Sequence, residues 1–176
     1  MTAQAVHVRP REGDDLAELS QVLVRVHAVD GYPVEGVANP EEWLTPATEL
    51  ASWTAEHDAK IIGQITLAQA TQDDDAARVW RDATRGSIDD LTIPVRLFVA
   101  PEYRELGAGR DLMLAAGTYA VTHQRPIAFD VMLKDERAIA LYESLGCRRL
   151  GTIMHRHSGG LTEPAAVYAG PEHLPA

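Results

Sequence analysis

Cysteine, long apolar runs and positive charge are what this sequence has least of. Its 176 residues include a single cysteine, Cys147, so no internal disulfide can form and a cytoplasmic setting is the expectation. The longest apolar runs, such as the one around Ile61-Ile62, fall far short of the ~20 residues that a membrane-spanning helix needs. In the opening MTAQAVHVRPREGDD no basic stretch leads into an apolar one, so no secretory signal is expected. Lys and Arg total 16 against 26 Asp and Glu, a formal net charge of −10. A field of that sign works against nucleic acid and anionic membranes as partners and favours a cationic substrate. Any anion bound here needs a local arrangement that overcomes the global charge.

What is present is an ordinary globular composition, 45% hydrophobic and 24% charged, at a length that fits one domain over residues 1–176. Alternation that ends at a proline predicts a first strand over 5–10. Leu16, Leu19, Val22, Leu23, Val26 and Val29 follow a helical period over 14–29, closed by Gly31 and Pro33. Asn39-Pro40-Glu41-Glu42 reads as the capped start of a short helix that Pro46 ends. Strands are predicted at 51–56 and 60–68, joined by the turn His57-Asp58-Ala59. The polar stretch 71–85 reads as a surface excursion with a short helix at about 76–82. A strand over 88–99, interrupted near Pro94, precedes a helix over 109–122 and a strand over 127–133. A helix over 135–145, closed by Gly146, leads to a last hairpin of 149–155 and 164–169 around Ser158-Gly159-Gly160. A strand, a helix and a strand in succession need a crossover and give one parallel pair, whereas the hairpins give antiparallel neighbours.

The segment that carries chemistry joins the strand ending Leu97-Phe98-Val99 to the helix beginning near Ala108, through Arg104-Glu105-Leu106-Gly107-Ala108-Gly109-Arg110. Two glycines let a backbone approach phosphate oxygens. The first helical turn offers free N–H groups and a favourable dipole, and Arg104 and Arg110 add cations. A tight strand-to-helix turn explains the glycine pair equally well. A dinucleotide-binding reading fails on detail, because the third glycine of its pattern would fall at Leu112.

Val99-x-Pro101-x-x-Arg104-x-x-Gly107-x-Gly109 resembles the acyl-CoA loop of the GNAT family of N-acetyltransferases. One helix and one strand later, Asp135-x-x-Ala138-x-x-Leu141-Tyr142-x-x-x-Gly146-Cys147 is similar to the family pattern Asn-x-x-Ala-x-x-Leu-Tyr-x-x-x-Gly-Phe. The resemblance implies an α/β, GNAT-like fold. Its sheet is mixed and mostly antiparallel, with about six to seven strands, one splayed parallel pair and helices on both faces. It also implies transfer of an acetyl group from acetyl-CoA to an amine, with no metal. Leu97, Phe98 and Val99 would bind the pantetheine arm, residues 104–110 the pyrophosphate, and Tyr142 would protonate the departing thiolate. Tyr142 also fits a packed aromatic on an amphipathic helix. Asp135 stands where the family has Asn and cannot donate a hydrogen bond when ionised. Cys147 stands where it has Phe or Trp and reads as a small buried apolar residue.

The general base is not legible: of Asp89, Asp90 and Asp130, Asp130 is the first choice because its strand borders the expected cleft. Asp30, Tyr32 and Glu35, in the loop after the first helix and near Trp43, would bind a cationic amine by charge and an aromatic wall, although Gly31-Tyr32-Pro33 also fits a plain turn. His155-x-His157 lacks a third ligand for a metal. The expected acceptor is a primary amine of a small molecule, with a protein N-terminus or lysine, or acyl-CoA binding without catalysis, as alternatives. A monomer or homodimer is expected.

Overall fold

The computed structural model describes residues 5–156 and 160–171. The elements are β1 (His7–Pro10), α1 (Asp15–Asp30), α2 (Pro40–Leu44), β2 (Glu49–His57), β3 (Lys60–Gln69), α3 (Asp75–Thr84), β4 (Thr92–Val99), α4 (Ala108–Thr122), β5 (Ala128–Met132), α5 (Glu136–Ser144), β6 (Arg148–Arg156) and β7 (Thr162–Ala169). They form a four-stranded sheet, β1-β2-β3-β4, and a three-stranded sheet, β5-β7-β6. In place of the expected parallel pair of strands there is one isolated parallel bridge, Thr92 to Ile127, beside which the Thr92 N–H and hydroxyl both donate to the Pro126 carbonyl. By packing the chain divides into two compact units, Met1–Ala68 with Val95–Ala116 and Gln69–Pro94 with Gly117–Ala176. No helix among the described residues is long and apolar enough to cross a membrane.

In the first unit, charged groups rather than apolar ones fix the short β1. Arg9 forms two 2.8 Å hydrogen bonds to the Asp15 carboxylate and reaches Glu56 as well, tying β1 to α1 and β2. Asp15 is buried, and it also accepts the Glu12 N–H at 2.7 Å, which closes the turn into α1. Leu19, Val22, Leu23 and Val26 pack with Leu44, Ile61, Phe98 and Ala100 as one core. Val29, expected on that face, is exposed. It lies in the last turn before the left-handed Gly31, whose N–H caps the His27 carbonyl. The β2–β3 hairpin turns on Asp58 and Ala59, both left-handed (φ 50° and 56°), as a two-residue loop of this hand requires.

Two backbone features shape β4. Gly63 on β3 lies so close that a Cβ there would stand 2.4 Å from the Phe98 carbonyl oxygen and 3.1 Å from Val99 Cα. Arg96 is left-handed (φ 57°) inside the strand, and its carbonyl accepts from the Gln64 amide at 3.3 Å. The interruption read from Pro94 is therefore realised two residues further on.

In the second unit, α3 is longer than the polar excursion suggested, because Ala76, Ala77 and Trp80 give it a buried face. It packs on β5, β6 and β7. The predicted strand over 88–99 starts late. Residues Ile88–Asp90 form a 3-10 turn in which Ser87 Oγ accepts the Asp89 N–H. Pro101–Leu106, read as loop, is likewise a 3-10 turn. β6 and β7 pair antiparallel from Arg148–Ala169 to Arg156–Thr162. The turn expected at Ser158-Gly159-Gly160 has Ser158 and Gly159, with His157, outside the described residues.

Two outcomes are expected. Arg9 holds the Asp15 carboxyl below its usual range, chiefly by hydrogen bonding, so the folded state takes up its proton only at a pH lower than the unfolded chain does. That stabilisation is complete above the unfolded value of about 4 and is lost as pH falls through the lower folded value. Asp15→Asn should cost about 2 kcal/mol at pH 7 in urea unfolding, with the gap to wild type narrowing in acid; a gap constant down to pH 3 would contradict the assignment. Gly63→Ala should cost about 1–3 kcal/mol, since the atoms it meets belong to backbone. An unchanged urea midpoint would show that the two strands part freely.

Candidate active site

The strand–loop–helix segment lies in the first unit. Phe98 is buried in the core, whereas Leu97 and Val99, on the opposite face of β4, are half-buried. The 3-10 turn ends at Gly107, whose φ of 82° suits glycine, and α4 starts at Ala108. By helix geometry the N–H groups of Ala108, Gly109 and Arg110 have no intrahelical partner, while Asp111 N–H already reaches the Gly107 carbonyl. Gly107 is explained by its backbone. Gly109 is not: a Cβ there would meet only Val99 Cγ2, at 4.0 Å, so the fold leaves room for a side chain that the sequence omits. Glu105, Leu106 and Arg110 are exposed around it. A tight turn alone would need the first glycine and not the second. The residues present therefore fit a pyrophosphate.

Arg104 has a partner that the sequence did not announce. It forms a two-pronged ion pair with Asp30 at the end of α1, and its Nε–H donates to the Val99 carbonyl at 3.3 Å. The hydrogen bond to Asp30 raises the guanidinium further above its ordinary range. Asp30, a candidate for amine binding, and Arg104, a candidate for phosphate, are thus joined to each other. Asp30 is drawn towards the loop and spends its charge there.

Beside α2 opens a cleft of about 560 Å³, lined among others by Glu35, Glu42, Trp43, Thr45 and Arg96. Glu35 is the one predicted amine-binding residue that lines it. Tyr32 acts at one remove, with its ring edge-on to Trp43 at 5.5 Å. The Arg96 guanidinium lies over the Trp43 ring, 4.1 Å from its centre, and reaches Glu35 at 3.7 Å. Sequence reasoning found Trp43 but missed Glu42 and Arg96. A positively charged residue in a strand carries no mark of a left-handed backbone, and a glutamate in the first turn of a short helix resembles any other.

In the second unit, Tyr142 of α5 packs edge-on against Phe129 of β5, ring centres 4.6 Å apart. Burial first, then the charges of Asp135 and Cys147, push its phenol up to about 12, so at neutral pH it is a proton donor only. Asp135 caps α5, accepting the Ala138 N–H at 3.1 Å, which uses one carboxylate oxygen. Cys147 is buried and its thiol is pushed up to about 11 by that burial, which makes it a poor nucleophile. Asp130 lies 2.9 Å from His155 Nδ1, an acid–imidazole contact between β5 and β6. No metal-holding group of three or more His, Cys, Asp or Glu occurs among the described residues.

The described geometry has counterparts among known proteins. The profile described as the acetyltransferase (GNAT) family matches residues 17–147. A GCN5-related N-acetyltransferase from Kribbella flavida is similar at 21% identity, with 95% of this chain and 98% of that one covered and a TM-score of 0.71. The ribosomal-protein-S18-alanine N-acetyltransferase of Escherichia coli is similar at 18% identity, covering 97% and 96%, with a TM-score of 0.67. Arabidopsis thaliana NAA60 in complex with acetyl-CoA is similar at 18% identity, covering 97% and 98%, with a TM-score of 0.69. Among curated proteins none matches the chain in sequence. These likenesses agree in the fold, and the profile spans most of the chain. The chain belongs to the acetyltransferase (GNAT) family and is an N-acetyltransferase with acetyl-CoA as its acyl donor.

Proposed function

We propose that residues 1–176 work as one catalytic domain that moves an acetyl group from acetyl-CoA to a primary amine of a small molecule, by direct attack in a ternary complex. The observation that carries this reading is Gly109, where the fold tolerates a Cβ but a closely bound pyrophosphate would not. The N–H groups of Ala108, Gly109 and Arg110 would hold the phosphates, with Arg104, Glu105, Leu106 and Gly107 forming the rest of the cradle. Backbone groups of Leu97, Phe98 and Val99 would hold the pantetheine arm as an added strand and offer an N–H to the developing oxyanion. Asp135 contributes its second oxygen, as an acceptor. Acetyl-CoA supplies the activated thioester.

In the reaction the amine nitrogen forms a bond to the acetyl carbon, the carbon–sulfur bond breaks, and the amine sheds its surplus proton. Tyr142, whose phenol stays protonated at neutral pH, donates the proton that the thiolate takes up. Asp130 is the proposed base, with His155 Nδ1 2.9 Å from its carboxylate. A small acceptor is supported by the size of the cleft lined by Glu35 and Trp43, about 560 Å³, which is in the range of small-molecule sites.

Thiol release from acetyl-CoA should be measured with a panel of small primary amines and a peptide bearing a free N-terminus. Turnover with small amines is expected, and turnover with the peptide alone would move the acceptor to proteins. Tyr142→Phe should lower kcat about 100-fold while the Tm rise caused by acetyl-CoA stays the same. An unchanged kcat would remove Tyr142 from the mechanism. With the phenol at about 12, no loss of kcat from its ionisation is expected between about pH 7 and 10.

A further inference from the structure

Arginine at position 96 is costly and badly partnered, and both facts need a reason. Its backbone is left-handed (φ 57°), a conformation that glycine adopts freely and other residues enter at a cost of about 1–2 kcal/mol. The Gln64 side chain, fully buried, spends a hydrogen bond on the Arg96 carbonyl to hold it there. Strain maintained in this way concentrates at functional positions. The side chain is then laid flat on Trp43, with its Nε closed off from solvent and without a hydrogen-bond partner among the described residues. Arg96 lines the cleft, where its ion pair to Glu35 is long at 3.7 Å. A guanidinium stacked on an aromatic ring presents its edge as a rigid two-pronged donor, the geometry that a carboxylate matches. A bare amine offers this edge nothing.

We propose that the cleft reads an acidic group on the acceptor. Arg96 binds a carboxylate in the plane of its guanidinium, and Glu35 and Glu42 draw in the ammonium of the same molecule, so that the acceptor class is the amino acid rather than the simple amine. This rests on the small-molecule acetyl-transfer reading above. It also explains how a chain of net charge −10 admits an acidic substrate: the anion meets one oriented cation, while the surrounding carboxylates attract its other end.

The test compares matched pairs in the thiol-release assay. β-Alanine is set against propylamine, 5-aminovalerate against pentylamine, and leucine against isoamylamine. For at least one pair kcat/KM should be 10-fold or more higher with the carboxylate, carried mainly by KM. Arg96→Gln should reduce that ratio below threefold, and Arg96→Lys, which keeps the charge and loses the fork, should fall between. A second measurement needs no variant: valerate, which has the carboxylate and no amine, should compete with the acceptor and not with acetyl-CoA. Equal kcat/KM within every pair, or a preference for the simple amine, overturns the inference and leaves acetyl transfer standing. A carboxylate preference that survives in folded Arg96→Gln, or absence of competition by valerate, overturns it as well. No thiol release with any member overturns the small-molecule reading itself.

Discussion

A buried guanidinium, that of Arg11, holds the first unit in register. Its side chain is 8% exposed, and its terminal nitrogens donate to the Leu44 carbonyl, to Gln64 Oε1 and to both oxygens of Glu49. The Gln64 amide, fixed at one end by Arg11, uses its other end on the Arg96 carbonyl. One chain of hydrogen bonds therefore runs from the segment after β1, past the end of α2, through β3 to the irregular point of β4. In a buried setting each link leaves an unsatisfied group behind if it is cut. The position of Arg96 at the cleft is inherited from residues that do not line it.

The same unit reconciles an acidic chain with an anionic donor. Its arginines around the loop are matched by acids: Arg104 by Asp30, Arg25 by Glu102 and Arg110 by Asp111. Net cationic charge is not what the loop offers to phosphate. In the proposed site the orientation of N–H groups at the start of α4 would carry that role, and it needs no excess of Lys or Arg.

What the sequence conveyed was whatever depends on neighbours in the chain. The loop from Leu97 to Arg110 and the helix behind Asp135 were legible because spacing alone positions a glycine pair and a capping residue. The hairpin at Asp58-Ala59 was legible for the same reason. The division of the strands between two sheets was not, since no residue within a strand says which neighbour it pairs with. The Asp30–Arg104 pair joins residues 74 positions apart, and charges so far apart leave no periodic trace. α3 was half-read, because a buried tryptophan in a polar stretch counts for more than the window average suggests. Arg96 was visible as a letter only. Its left-handed backbone is held by a hydrogen bond from Gln64, a contribution from another strand.

β6 stands at the end of the three-stranded ladder, and a free strand edge is an invitation to pair with another chain. This edge carries Arg148, Arg149 and Arg156 in an otherwise acidic protein. Two such edges meeting antiparallel would bring guanidinium against guanidinium, and the −10 net charge on each molecule adds repulsion at longer range. The strand that closes the second unit thus also guards the protein against edge-to-edge growth into aggregates.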